Sequence, residues 1–255
     1  MLRRLILPLL LLLGLAAPGL ARLTPDDDRV RPALEAEARL DSARALELFL
    51  ALEKQHPDDA FLLQKIARQY SDLVVDQRDV AEKRRLAGLA LDYAERAAAA
   101  QPDDPVNLLS VAISRGKLAV YSDTRTKVRF SRDVKDYAER ALALAPDYAW
   151  AHHVLGRWHH EVAALGVTAR VVVKLFYGGL PTASVGAAVT HLERAVALEP
   201  GELTHHIELG FAYFAAGRTD DAKAAWERGL ALPSRGKHDE PAKRRARAAL
   251  ERNWS

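Results

Sequence analysis

Asp92-Tyr93-Ala94-Glu95-Arg96-Ala97 recurs letter for letter as Asp136-Tyr137-Ala138-Glu139-Arg140-Ala141. Each copy runs through a short Ala/Leu stretch into a proline, Pro102 in the first and Pro146 in the second. Weaker copies follow, Leu192-Glu193-Arg194-Ala195 before Pro200 and Trp226-Glu227-Arg228-Gly229 before Pro233. An earlier unit, Leu46 to Pro57, ends in the same way. Self-similarity held in phase over most of a chain is the signature of a repeat array.

The phase also holds on the far side of each proline. Six residues past Pro57, Pro102, Pro146 and Pro200 stand Leu63, Leu108, His152 and His206. Nine and ten past stand Ile66-Ala67, Val111-Ala112, Leu155-Gly156 and Leu209-Gly210. Twelve before the same prolines are Ala45, Ala90, Val134 and Ala188. This arrangement resembles the tetratricopeptide repeat, in which a large-Leu-Gly triplet marks helix A, Ala and a bulky residue mark helix B, and proline closes the pair. Leu209, Gly210, Tyr213, Ala222, Trp226 and Gly229 make the last unit nearest to that pattern.

The letters have a physical reading. Gly156 and Gly210 permit close approach of helix B to helix A, while Leu, Tyr and Trp fill the space between. Proline cannot continue a helix interior, so each one sets where helix B stops. Asp103, Asp104 and Asp147 fall at helix N-termini, where negative charge is favoured. The expected fold is all-α, a right-handed α-solenoid of antiparallel helix pairs. It comprises a half-unit (Pro32 to Lys54), four helix pairs and a closing helix near Glu240 to Arg252 that masks the last apolar face.

The prolines lie 45, 44, 54 and 33 residues apart, against a tetratricopeptide unit of about 34. The first two surpluses fall around Ser71 to Arg84 and Lys117 to Phe130, where longer helices or loops would absorb them. The third, Leu165 to Gly186, is an insertion in the third pair. It holds Val167, Val171, Val172, Val173, Leu175, Phe176, Tyr177 and Leu180, with Lys174 its lone charge after Arg170. That is too short to span a bilayer. The expectation is that it folds back as extra core, since large exposed apolar patches are rare in monomers. The alternative is a hydrophobic-ligand surface, using Val172, Phe176 and Tyr177, or a helix lying on a membrane.

A narrower resemblance lies in the C-terminal half. Leu155-Gly156-Arg157-Trp158, the inserted helix Val171 to Tyr177, Leu180-Pro181-Thr182-Ala183-Ser184 and Ala231-Leu232-Pro233 before a charged terminal helix resemble the regulator of microtubule dynamics proteins. The match covers about Pro105 to Leu250. Eukaryotic members are non-enzymatic helical-repeat proteins associated with microtubules, mitochondria or membrane contact sites. The resemblance implies a binding or adaptor role; fold and non-enzymatic character carry over, and the partner does not.

The N-terminus reads as an address. Arg3-Arg4, the apolar run Leu5 to Ala17 and small residues at Gly19 and Ala21 form a secretory signal over residues 1–21, cut after Ala21. The domain plan is then a signal at 1–21, the repeat domain at 22–235 and a basic capping segment at 236–255. The expected location is secreted or periplasmic, with an uncleaved inner-membrane anchor as the alternative.

Composition narrows the function classes. The chain has 255 residues, 49% hydrophobic and 28% charged, which excludes a disordered or multispan chain. There is no cysteine, hence no disulfide, thiolate metal site or cysteine nucleophile. Lys+Arg at 37 against Asp+Glu at 34 does not call for nucleic acid. No Gly-rich phosphate loop, Gly-x-Ser-x-Gly elbow or His-Glu-x-x-His motif occurs, so no enzyme and no cofactor are expected.

His152-His153, His159-His160 and His205-His206 invite a metal reading, but His-x-x-x-His spacing is absent and none is expected. By repeat register His152 and His206 occupy core slots, and His159 the tyrosine slot. His153, Arg157, His160 and Glu161 fall on the face that lines the concave groove of such solenoids. Gln64, Arg68 and Asp72 match them in an earlier repeat, and Lys117 in the next. Such a groove would take a protein or peptide segment, its cations suiting an anionic end.

Overall fold

The computed structural model describes residues 22–254, so the export signal expected at 1–21 lies outside the described residues. Among these residues the chain forms twelve α-helices and no strand. Two short helices, α1 (Arg31–Ala38) and α2 (Ser42–Glu53), come first. Three long pairs follow: α3 (Ala60–Asp76) with α4 (Val80–Ala100), α5 (Pro105–Ala119) with α6 (Thr124–Leu144), and α7 (Ala149–Ala163) with α9 (Val185–Leu198). Between the last two lies α8 (Val167–Tyr177). The array ends in α10 (Leu203–Ala215) with α11 (Thr219–Ala231), closed by α12 (Asp239–Trp254).

Each turn between helices is set by residues the sequence makes conspicuous. Asp59, Asp79, Asp104 and Asp123 each accept a hydrogen bond from a backbone N–H of the first turn of α3, α4, α5 and α6. This satisfies donors that a helix start leaves unpaired, a contribution of about 1 kcal/mol per cap. Asp59 also accepts from Leu23 N at 2.8 Å, tying the first described residues to α3. Asp147 instead pairs with Arg194 at 2.5 Å, joining α9 to the turn before α7.

The repeated hexapeptide is explained by packing. Ala94, Ala97, Ala138 and Ala141 are fully buried, and their small side chains let α4 and α6 lie against neighbouring A helices. Arg96 and Arg140 stack over Tyr93 and Tyr137 at 4.7 and 4.8 Å. Gly156 and Gly210 act as their spacing suggests. A Cβ on Gly156 would lie 2.5 Å from Leu192 Cγ, and one on Gly210 would meet the ring of the fully buried Trp226.

Two expectations are revised, and the one left open between longer helices and loops is decided. The segment read as a half-unit, Pro32 to Lys54, is a short helix pair. The surpluses of the first two repeats go into longer helices, since α4 and α6 each have 21 residues. The insertion is not extra core. No residue of α8 is buried, and Val167, Leu175 and Phe176 are 78%, 73% and 72% exposed. The closing helix does mask the end of the array: Ala242, Ala246 and Ala249 pack into the cluster of Leu203, Ile207, Ala222 and Trp226.

Candidate functional site

The A helices form the inner layer. α3 packs against α5, α5 against α7, α7 against α10, and α10 against α12, while the B helices touch mainly their flanking A helices. The A helices thus form one continuous layer, the layer expected on the concave side of a solenoid of helix pairs.

That face is built of paired charges. Glu37 on α1 accepts from Lys65 Nζ at 2.7 Å and Gln69 Nε2 at 3.0 Å, with Arg68 Nε 3.2 Å away. Further along, buried Glu208 on α10 lies 2.8 Å from Arg245 and 3.7 Å from Arg157, which also donates to Glu161 at 2.7 Å. Burial opposes ionisation of Glu208, but Arg157 and Arg245 outweigh it and hold the carboxyl below the usual range. Between these clusters, Lys117 Nζ donates to Ser71 Oγ and meets His238 Nε2 at 2.8 Å. Burial pushes the Lys117 ammonium down to about 8, with Asp72 opposing that shift.

Asp72 and Lys117 therefore stand beside residues from the far end of the chain. The non-helical segment 232–238, between α11 and α12, turns back over the C-terminal ends of α3 and α5. His238 Nε2 lies 3.3 Å from Asp72 and Lys237 Nζ 2.9 Å from Asp76, a separation of 161 residues in sequence. Asp72 is buried enough to resist ionisation, and a hydrogen bond from His238, followed by the nearby charges of Lys117 and Arg68, keeps its carboxyl low. A loop of the protein is thus already seated on the edge of the A-helix layer.

The sequence-derived residues divide on this geometry. Arg68, Asp72, Lys117, Arg157 and Glu161 lie on the face and are joined through Glu37, Glu208 and His238. Gln64 lies one turn before Arg68 and His160 one turn after Arg157, both half-buried. His153 is not a groove side chain. It is 5% exposed, its Nδ1 2.9 Å from Nδ1 of the fully buried His205, with Trp150 against both rings. The cations also do not stand free for an anionic end, because buried acids already pair with them. Glu208 had a sequence signal as the sole charged residue of α10, whereas Asp76, Lys237, His238 and Arg245 come together only through tertiary structure.

The other histidines have structural partners. His152 and His206, both six residues past a closing proline, donate Nε2–H to the carbonyls of Pro146 and Pro200 at 3.0 and 2.9 Å. Since His152 Nε2 carries that proton, its Nδ1 accepts from His191 Nδ1 at 2.9 Å. His159 stacks on His191 at 5.7 Å. Among the described residues no group of three or more His, Cys, Asp or Glu is placed to hold a metal ion.

Behind α8 lies a cavity of about 390 Å³, lined by Val162, Leu165, Val173, Leu180 and Pro181 among others. Val172, Phe176 and Tyr177, the residues named for a hydrophobic-ligand site, are not in its lining. Phe176 points instead to the exterior.

Comparison with known proteins gives a consistent picture. The sequence pattern of the family described as regulator of microtubule dynamics protein 1-3 matches residues 32–253. Regulator of microtubule dynamics protein 3 of Xenopus laevis is 29% identical over 155 residues, 61% of this chain and 34% of that protein. The protein 3 of Bos taurus is 25% identical over 223 residues, 85% of this chain and 47% of that protein. The chain thus spans about half or less of these relatives' length. Among solved structures, a thermophilic TPR protein of Thermus thermophilus superimposes with a TM-score of 0.63 at 20% identity, covering 88% of this chain and 97% of that one. The fold is therefore a tetratricopeptide-like solenoid.

Proposed function

This chain belongs to the regulator of microtubule dynamics protein 1-3 family, and from that premise we propose a non-enzymatic scaffold that holds an extended protein segment along its concave face. The observation that carries the reading is the loop 232–238, which the face already holds through Asp72, Asp76 and Lys117. What sits there is basic, Arg235-Gly236-Lys237-His238, and the groups that meet it include two carboxylates. The segment sought is therefore a basic, non-helical stretch of a protein, rather than the anionic end that the sequence alone suggested. The relatives' names, regulators of microtubule dynamics and a TPR protein, are in keeping with a binding role and name no catalytic one.

A peptide array tests this. Peptides retained by the wild-type protein should be enriched in Lys and Arg, and should lose most of their signal on the Asp72→Asn/Asp76→Asn variant. Retention that ignores both carboxylates would overturn the reading. We also propose, on residues 1–21 alone, that the chain is exported; expression in a secreting bacterial host should give a chain beginning at Arg22.

A further inference from the structure

The exposed helix α8 calls for an explanation that the concave face does not supply. We propose that α8 and the first half of α6 form a docking surface for an anionic lipid bilayer. At about 100° per residue, Val167, Val171, Leu175, Val172 and Phe176 cover about half of the helix circumference. All five are exposed, by 78%, 49%, 73%, 41% and 72% in that order. Val173 and Tyr177, on the opposite side, are the less exposed residues that turn toward the protein. Lys174 borders the apolar arc on the side of Val167, while Arg170 lies beside Tyr177, lines the cavity behind α8 and donates to Ala163 O at 2.5 Å.

Charge selects the occupant. From Thr124 to Arg132 the sequence carries Arg125, Lys127, Arg129 and Arg132 with no acid, and from Val167 to Tyr177 it carries Arg170 and Lys174 with no acid. Arg125, Arg129 and Arg132 follow at intervals of four and three residues and share one stripe of α6. Arg132 donates to the carbonyl oxygens of Tyr177 and Gly179, which fastens the end of α8 to that stripe. Arg125, Lys127 and Arg129 are themselves exposed. An apolar arc beside a local excess of bases matches the boundary between acyl chains and anionic headgroups. A second copy of the chain would bring the same positive charge against itself, and nucleic acid would leave Leu175 and Phe176 without a partner. Eleven residues reach about 16 Å, half of a hydrocarbon core, so the helix lies in the surface rather than across it.

The test is sedimentation of the full chain with vesicles of phosphatidylcholine alone or with about 30% phosphatidylserine. The expected result is preference for the anionic vesicles. Leu175→Ser/Phe176→Ser should weaken binding to them about tenfold or more with an unchanged melting temperature. Arg125→Glu/Arg129→Glu should remove the preference, each lost base lowering binding about fivefold. Binding unaltered by either pair of changes would overturn the proposal. So would unfolding caused by Phe176→Ser, which would make α8 core. A dimer that dissociates on Leu175→Ser/Phe176→Ser without a change in vesicle binding would assign the face to a second copy. Peptide retention by the concave face should be the same in all these variants, so failure here leaves the scaffold reading separately testable.

Discussion

Replacing Gly210 with alanine is the sharpest challenge to the close packing of α11 on α10. A Cβ there would lie 2.5 Å from Nε1 and 2.9 Å from Cγ of Trp226, with Cδ1 nearer still. Carbon contacts favour about 3.5–4.0 Å, so the ring must retreat by roughly 1 Å. It has nowhere to go. Trp226 is fully buried, with Phe211 edge-on at 5.0 Å, and its Nε1–H donates to Ile207 O at 3.1 Å. Overpacking of a tight core costs up to about 3 kcal/mol, and loss of the indole hydrogen bond adds about 1 kcal/mol. Alanine returns about 1 kcal/mol through its helix propensity. The net loss is about 3 kcal/mol, or a melting temperature lower by roughly 6–12 °C for a chain of this length. Gly88→Ala on α4 is the matched control, since no atom lies within 4 Å of its added Cβ; it should gain about 1 kcal/mol. Urea and thermal unfolding followed by far-UV circular dichroism read both variants. A Gly210→Ala protein as stable as wild type would refute the close-approach argument.

Two further outcomes follow from the buried polar groups. His205 and His191 are each lowered to about 4, by burial first and then by a neighbouring histidine, and His153, His159 and His160 are lowered as well. Each lowered histidine resists protonation in the folded form, while the unfolded chain takes up protons near pH 6.5. Stability is therefore full above about 6.5 and falls as pH drops toward 4, by up to about 1.4 kcal/mol per pH unit for the fully buried His205 and by less for the partly exposed His159, His160 and His191, which solvent screens. Urea midpoints between pH 7.5 and 4.5 should show this, and His205→Phe should flatten the slope; an unchanged slope would contradict His205's part in it. Glu208→Gln keeps the shape but leaves Arg157 and Arg245 facing each other. With both guanidinium side chains near half exposed, the loss should be about 1–2 kcal/mol rather than that of a fully buried pair. An unchanged urea midpoint would mean that solvent already neutralises that cluster.

The array was legible in the sequence because its elements are local and repeated. Proline spacing, the alanines of the hexapeptide and the glycines opposite Leu192 and Trp226 each depend on contacts within one or two helix pairs. The histidine slots were half legible. Register placed His152 and His206 correctly along helix A, but not their hydrogen bonds to Pro146 and Pro200, because leucine at the same position makes no such bond. His153 was misassigned because the face of a single helix does not reveal that His205 of the next repeat covers it. The insertion misled for a different reason: a short helix rich in apolar residues reads alike whether its burial lies within the protein or against something outside it. The loop over Asp72 and Asp76 left no mark at all, since Lys237 and Asp76 are 161 residues apart and meet only through the stacking of all the helix pairs between them.

The seating of an extended segment on the concave edge can be measured with the protein's own loop. A fluorescent peptide spanning Leu230 to Asp239 is titrated into wild type, into Lys237→Ala/His238→Ala, in which the loop is released, and into that variant with Asp72→Asn/Asp76→Asn added. The expected result is binding to the released form about tenfold tighter than to wild type, and loss of that gain when the two carboxylates are neutralised. Equal binding to all three proteins would contradict the concave face as the site that holds such a segment.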